Sequence, residues 1–205
     1  MLDAIAAALG GYSTATWLFA ALVVFSAGFL RGFTGFGFAL AAVPALTLFA
    51  DPRDVVPATV IIQVLAGFQL SSSFLRAVDW RSLRLLLAGA MLGTPLGIYL
   101  LAALPANVLR GLIGTIVIVA LVLLSRGFRF KATPRLATRL GIGAISGLLN
   151  GGTAMGGPPV IIYFLASPAG VAVGRASLLA YFFFLSLGNA AMIAIAGLLN
   201  WRIVI

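Results

Sequence analysis

The chain has 205 residues, of which 62% are hydrophobic and only 8% charged, with a mean hydropathy of +1.19. Soluble proteins carry about a quarter charged residues, so a water-soluble domain is excluded. The absence of Cys and His removes disulfides, thiolate chemistry, the usual general base and the usual metal ligand.

Uncharged runs occupy 4–30, 32–50, 55–75, 85–109, 111–125, 140–174 and 176–201. Most reach the ~20 residues that span a hydrocarbon core as helix. The expectation is an all-α polytopic membrane protein. The net charge of +9 does not point to nucleic acid, because the basic residues sit in short loops between these runs. Such clusters set topology and meet anionic lipid headgroups. Met1-Leu2-Asp3 lacks the basic region of a cleaved signal, so the first apolar run is expected to stay in the mature protein.

Taken in chain order, the first segment covers 14–50. From Trp17 to Ala50 one straight helix at ~1.5 Å per residue would run about 50 Å, well beyond a ~30 Å core. Gly28, Gly32, Gly35 and Gly37 can break it, with Pro44 beyond them. The expected form is a V-shaped pair of half-length helices that enters and leaves on one face. Irregular backbone at that depth survives only when buried in protein or lining a cavity. Asp51-Pro52-Arg53-Asp54 starts a helix expected over 55–76, which carries Gln63, Gln69 and Ser71 to Ser73. Trp80 follows at an interfacial position. Helices at 83–104 and 106–125 form an antiparallel pair, with Gly89, Gly93, Gly97, Gly111 and Gly114 as small faces for close packing in lipid. Residues 126–139 form a basic linker holding Arg126, Arg129, Lys131, Arg135 and Arg139 with no acid.

The second half restates the first. A broken apolar segment covers 140–167 and a long helix about 172–198. Residues 146–156, SGLLNGGTAMG, lie over 27–37, AGFLRGFTGFG, without a gap, 119 residues apart. The matched positions are Gly28/Gly147, Leu30/Leu149, Gly32/Gly151, Thr34/Thr153 and Gly37/Gly156. Asn200-Trp201-Arg202 likewise echoes Asp79-Trp80-Arg81. We read residues 1–125 as a first repeat and 140–205 as a second that lacks its last two helices, so that a complete protein would continue for about 45 residues by analogy with 82–125.

If the first segment is a V, loops 76–84 and 126–139 share a face and carry eight basic residues, against Arg53 and Arg110 alone on the other. That asymmetry places the basic loops in the cytoplasm and makes the repeats inverted. A single crossing would keep the loops on their sides and make the repeats parallel; the excess length favours the V. Inverted repeats with broken helices near the midplane are a pattern of secondary transporters, although channels and scaffolds share it.

All four carboxylates, Asp3, Asp51, Asp54 and Asp79, fall in loops or at helix ends. No constellation of nucleophile, base and orienting group is assembled, so no enzyme, cofactor or metal is expected. Arg31 differs, because a cation within an apolar stretch is expensive and by default functional; near a helix end it can instead snorkel to headgroups. The functional reading is an anion site at the meeting of the two broken segments. Arg31 is its counter-charge, Thr34 and Thr153 its hydroxyls, and the backbone around Gly35, Gly37, Gly152, Gly156 and Gly157 its N–H donors. Asn150 is the neutral counterpart of Arg31. Gln69 and Asn189 could line the cavity, and an interhelix hydrogen bond explains each equally well.

These residues resemble the TauE/SafE family of sulfite and organosulfonate exporters. The pattern runs through Gly28-xxx-Gly32-xx-Gly35-x-Gly37 with Pro44, and again through Gly147-xxx-Gly151 with Met155-Gly156-Gly157-Pro158-Pro159. Where family members often carry two adjacent glycines, this chain has Gly37-Phe38. The resemblance implies a bacterial inner-membrane permease for small sulfur-containing anions such as sulfite or sulfoacetate, and a homodimer. The expected function is therefore anion export by alternating access, with lipids as the other partners. The rivals are an anion channel, a membrane scaffold without a permeant substrate, and a poorly supported cofactor or metal permease.

Overall fold

The computed structural model describes residues 14–68, 75–126, 134–165 and 170–198, and among them all regular structure is helical. The helices are α1 (Thr14–Thr34), α2 (Phe38–Leu46), α3 (Pro52–Gly67), α4 (Trp80–Ala103), α5 (Ala106–Ser125), α6 (Leu136–Thr153), α7 (Gly157–Leu165) and α8 (Val171–Ile195). By length and composition α1, α4, α5 and α8 can each cross a membrane. The chain is a multi-pass membrane protein.

The centre of the fold is a seam between α4 and α6. A Cβ on Gly89, Gly93 or Gly97 would strike the backbone of Leu140, Ala144 or Leu148; one on Gly143, Gly147 or Gly151 would strike that of Leu86, Ala90 or Thr94. Residue numbers rise together across the contact, so the two helices run parallel. Lipid offers no hydrophobic drive between helices, so close backbone approach through small residues does that work. The expected small face of α4 is thus present, but its partner is the second broken segment rather than α5. Gly111 and Gly114 on α5 face open space, contrary to expectation. They lie on a helix whose packing is carried by Leu109, Ile113 and Ala120 instead.

Both long segments break as helical hairpins. In the first, Phe19 near the start of α1 packs edge-on against Phe49 beyond α2, ring centroids 5.0 Å apart. In the second, α6 starts beside the first half of α4, and Tyr163 near the end of α7 donates to the Ser82 hydroxyl in α4's first turn, at 2.8 Å. The free ends of the first hairpin lie at the other end of α4. There Arg53 donates to the carbonyls of Leu101, Ala102 and Leu104 at the end of α4. Arg110 donates to those of Thr47 and Ala50 beyond α2, at 2.7 and 3.3 Å. The two hairpins therefore open toward opposite ends of α4.

Some expected boundaries move. Gly28 and Gly32 lie inside α1 and do not break it; only 35–37 does. A mid-helix glycine costs about 1 kcal/mol, less than the several kcal/mol of an unpaired backbone group in lipid, so the helix continues through both. Pro44 sits inside α2. The helix expected over 55–76 begins at Pro52 and ends at Gly67. Asp51 caps it by accepting from the Arg53 N–H at 2.8 Å, as Asp79 caps α4 through Ser82 at 3.1 Å. Leu136 to Arg139, placed in the basic linker, form the first turn of α6.

Two apolar clusters fill the interior. One joins Leu83, Leu86, Val160, Tyr163, Tyr181 and Leu185; the other joins Val43, Val56, Val60, Leu109, Met155 and Ile193. Phe36 of the first helix break packs against the first cluster, and Ala154 and Met155 of the second break belong to the second.

Candidate functional site

The two breaks are the same turn built twice. Thr34 donates its hydroxyl to the Leu30 carbonyl at 2.9 Å, and Thr153 donates to that of Leu149 at 2.7 Å. The Phe36 and Met155 N–H groups each donate to the preceding Thr Oγ1 at 3.3 Å. The Gly35 N–H donates to the Arg31 carbonyl at 2.7 Å, and the Ala154 N–H to that of Asn150 at 2.8 Å. Gly35 and Ala154 are both left-handed, with φ of 80° and 56°. Every pair here is 119 residues apart.

Their surroundings differ. The second break is braced from within: Tyr181 donates to the Ser146 hydroxyl at 2.8 Å, and Ser146 donates to the Gly156 carbonyl. At the corresponding positions of the first half stand Ala27 and Ile62, which pack together in a small apolar cluster. The first break is held from outside by Arg175 on α8, whose guanidinium lies 3.4 Å from the Phe33 carbonyl and beside Gly35. The sequence reading passed over Arg175, yet its signal matches that of Arg31: it is the lone charge between Arg139 and Arg202.

A cavity lies where the breaks meet. It is lined by Arg31, Phe36, Gly37, Phe38, Ala39 and Leu40 of the first hairpin, by Gln63 of α3, by Ala154, Met155, Gly157 and Ile161 of the second hairpin, and by Phe182 of α8. Three pairs of these positions are again 119 apart: Phe36/Met155, Phe38/Gly157 and Gln63/Phe182. The volume is about 20 Å³, which admits little more than one water molecule.

Among the described residues, Arg31 has no hydrogen-bonding or ion-pair partner for its guanidinium, and it is the one charged side chain on the cavity wall. It stands in the last turn of α1, where the helix dipole favours a cation. On the same wall, the first turn of α2 carries no side-chain cap, so the N–H groups of Phe38, Ala39 and Leu40 are free of helical partners. The first turn of α7 is poorer, because Pro158 and Pro159 have no N–H.

A family model described as Sulfite exporter TauE/SafE matches residues 20–205. The chain belongs to the TauE/SafE family. That places it among membrane transporters and accords with the resemblance carried by the two glycine motifs. No curated protein and no solved structure matches the chain.

Against this TauE/SafE fold the expected site residues divide. Arg31, Gly37 and Gly157 line the cavity. Thr34, Gly35, Thr153 and Gly156 form the breaks themselves, with both Thr hydroxyls engaged by their own backbone. Gly152 faces Gly97 at the seam. Asn150 and Asn189 are buried behind the second break, with the Asn189 amide donating to the Asn150 carbonyl at 3.2 Å. The Asn150 Nδ2 and the Asn189 Oδ1 are buried without partners. Gln69 lies outside the described residues. The residue that sequence reasoning left unassigned is Gln63, buried on the cavity wall with its amide 3.5 Å from the Ala154 carbonyl.

Proposed function

We propose that this protein exports small sulfur-containing anions, sulfite or organosulfonates, across the bacterial inner membrane by alternating access at the cavity between the two breaks. The observation that carries this is Arg31: an unpaired guanidinium on the same cavity wall as the uncapped start of α2. Guanidinium and helix N-termini both favour oxyanions. In this reading residues 1–125 and 140–205 are inverted repeats, supported by the duplicated turn and by hairpins that open toward opposite ends of α4. Arg76, Arg81 and Arg84 lie on the cytoplasmic side with the 126–139 linker, and two copies form a dimer. An interior-negative potential is worth about 2.3 kcal/mol per charge per 100 mV, so an anion leaves downhill without a coupled ion. A scaffold with no permeant substrate gives no reason for a cavity that joins both breaks.

The test is efflux of sulfite or a sulfonate from proteoliposomes. Truncating one member of a buried charge pair costs about 2–5 kcal/mol, so Arg31→Ala is expected to lower efflux at least tenfold while leaving the protein folded. Undiminished efflux by Arg31→Ala would overturn the assignment.

A further inference from the structure

The cavity has two unlike walls, and their difference defines the substrate more narrowly than its family does. At one pair of repeat-equivalent positions the first half places the amide of Gln63, and the second half places the ring of Phe182. Arg31 and the α2 helix start share the cavity wall with Gln63. Phe182 packs in one apolar cluster with Ile161, with Phe36 of the first half against it, and Met155 also lines the cavity. The charge, the side-chain amide and the uncapped helix start therefore come from the first half, and the second half offers an apolar face.

Charge balance sharpens this. Arg31 alone on the wall is charged, with no acid opposite it and no second cation. Arg175, at the neighbouring break, is turned to the Phe33 carbonyl and is not on the wall. Burying an ion in a low-dielectric site is costly unless each charge is matched. One guanidinium matches one negative charge and leaves the second charge of a dianion uncompensated. Gln63 holds the Ala154 carbonyl only at 3.5 Å, a long contact that an anionic oxygen, as the stronger acceptor, can replace.

We propose that the substrate is a monovalent oxyanion with a small apolar body, such as an alkanesulfonate, and that Gln63 is a specificity-determining residue holding the headgroup beside Arg31 while Phe182, Met155 and Ile161 take the body. The inference rests on the exporter reading above and narrows it. It sets aside dianions such as sulfate, disulfonates and sulfoacetate, and admits sulfite only as the hydrogensulfite monoanion. When the anion binds, the Gln63 amide leaves the left-handed Ala154 turn and donates to a substrate oxygen, so head recognition also releases a contact between the halves.

The experiment is efflux from proteoliposomes of methanesulfonate, methanedisulfonate and sulfate, with wild type, Gln63→Lys and Gln63→Leu. Wild type is expected to move methanesulfonate at least about tenfold faster than either dianion, the discrimination that about 1.4 kcal/mol provides. Gln63→Lys adds the missing charge and is expected to close that gap. Gln63→Leu copies the apolar second-half position and is expected to lower methanesulfonate efflux about tenfold. Equal wild-type rates for monoanion and dianion would overturn the inference and leave the exporter reading standing. So would a full methanesulfonate rate in Gln63→Leu, or an unchanged preference in a Gln63→Lys protein that still transports. If wild type moves none of these anions and no sulfite, the exporter reading falls, and this one with it.

Discussion

Ala154 is the one described non-glycine residue with positive φ, and it occupies the same turn position as Gly35. Its φ of 56° lies within the left-handed well that L-residues can reach, whereas Gly35 at 80° and Gly37 at 92° lie beyond it. A left-handed alanine costs about 1–2 kcal/mol, and a glycine there loses about 0.5–1 kcal/mol of chain entropy. Ala154→Gly is therefore expected to raise stability by no more than about 1.5 kcal/mol, and Gly37→Ala to lower it by at least about 1 kcal/mol. Thermal unfolding in detergent measures both; a destabilising Ala154→Gly would mean that the turn is held by something other than its backbone. Residue-scale reading from the sequence has most to work with where a position repeats. Thr34 and Gly37 were noticed because Thr153 and Gly156 stand 119 residues on, and Arg31 because it is a charge within an apolar run. Gln63 was not, because its counterpart is Phe182, and an amide matched to an aromatic ring leaves no trace in a comparison of sequences.

Among elements, the α4–α6 seam decides the fold. At Gly93 and Gly147 there is no space for a methyl group, and the obstacle is backbone rather than a side chain that can turn aside. Gly93→Ala and Gly147→Ala are expected to destabilise by several kcal/mol or to prevent accumulation of folded protein, at the severe end of point substitutions. Gly111→Ala and Gly114→Ala face open space and are expected to be neutral or to stabilise by up to about 1 kcal/mol through helix propensity. Yield and thermal midpoint in detergent discriminate the two classes; equal tolerance of all four would remove the seam's role. The spacing of Gly89, Gly93 and Gly97 announced a packed face, and Gly143, Gly147 and Gly151 carry the same spacing. Which face met which was not legible, because small residues in lipid declare closeness without declaring a partner. Neighbours in sequence, α4 and α5, were the natural choice, and the chain instead joins α4 to the next long segment.

At the scale of the whole molecule the two hairpins are held unequally. The second is clamped by the seam and braced by Tyr181 and Ser146. The first has a single buried residue on α1, Ala27, and turns Leu18, Leu22, Phe25, Phe29 and Phe33 outward. Motion that widens the cavity is thus expected in the α1–α2 hairpin, with α4 and α6 moving as one body. Orientation is testable because the chain has no native cysteine. Arg81→Cys and Asn107→Cys, both at exposed positions at opposite ends of α4 and α5, are expected to react with an impermeant maleimide only from the inside and only from the outside, respectively. Reaction of both from one side would refute the topology read from the eight-to-two charge asymmetry.

The seam also bears on how the molecule is made. A chain emerges from the ribosome N-terminus first, so α4 is already in the bilayer when α6 follows. A helix that must lie backbone to backbone against another has few alternative resting places, and α4 supplies the surface on which α6 settles. The first hairpin emerges earlier still, before the second hairpin that completes the cavity. Its Arg31 must wait in the membrane for that wall, so a charge inserted early is enclosed only when later segments arrive.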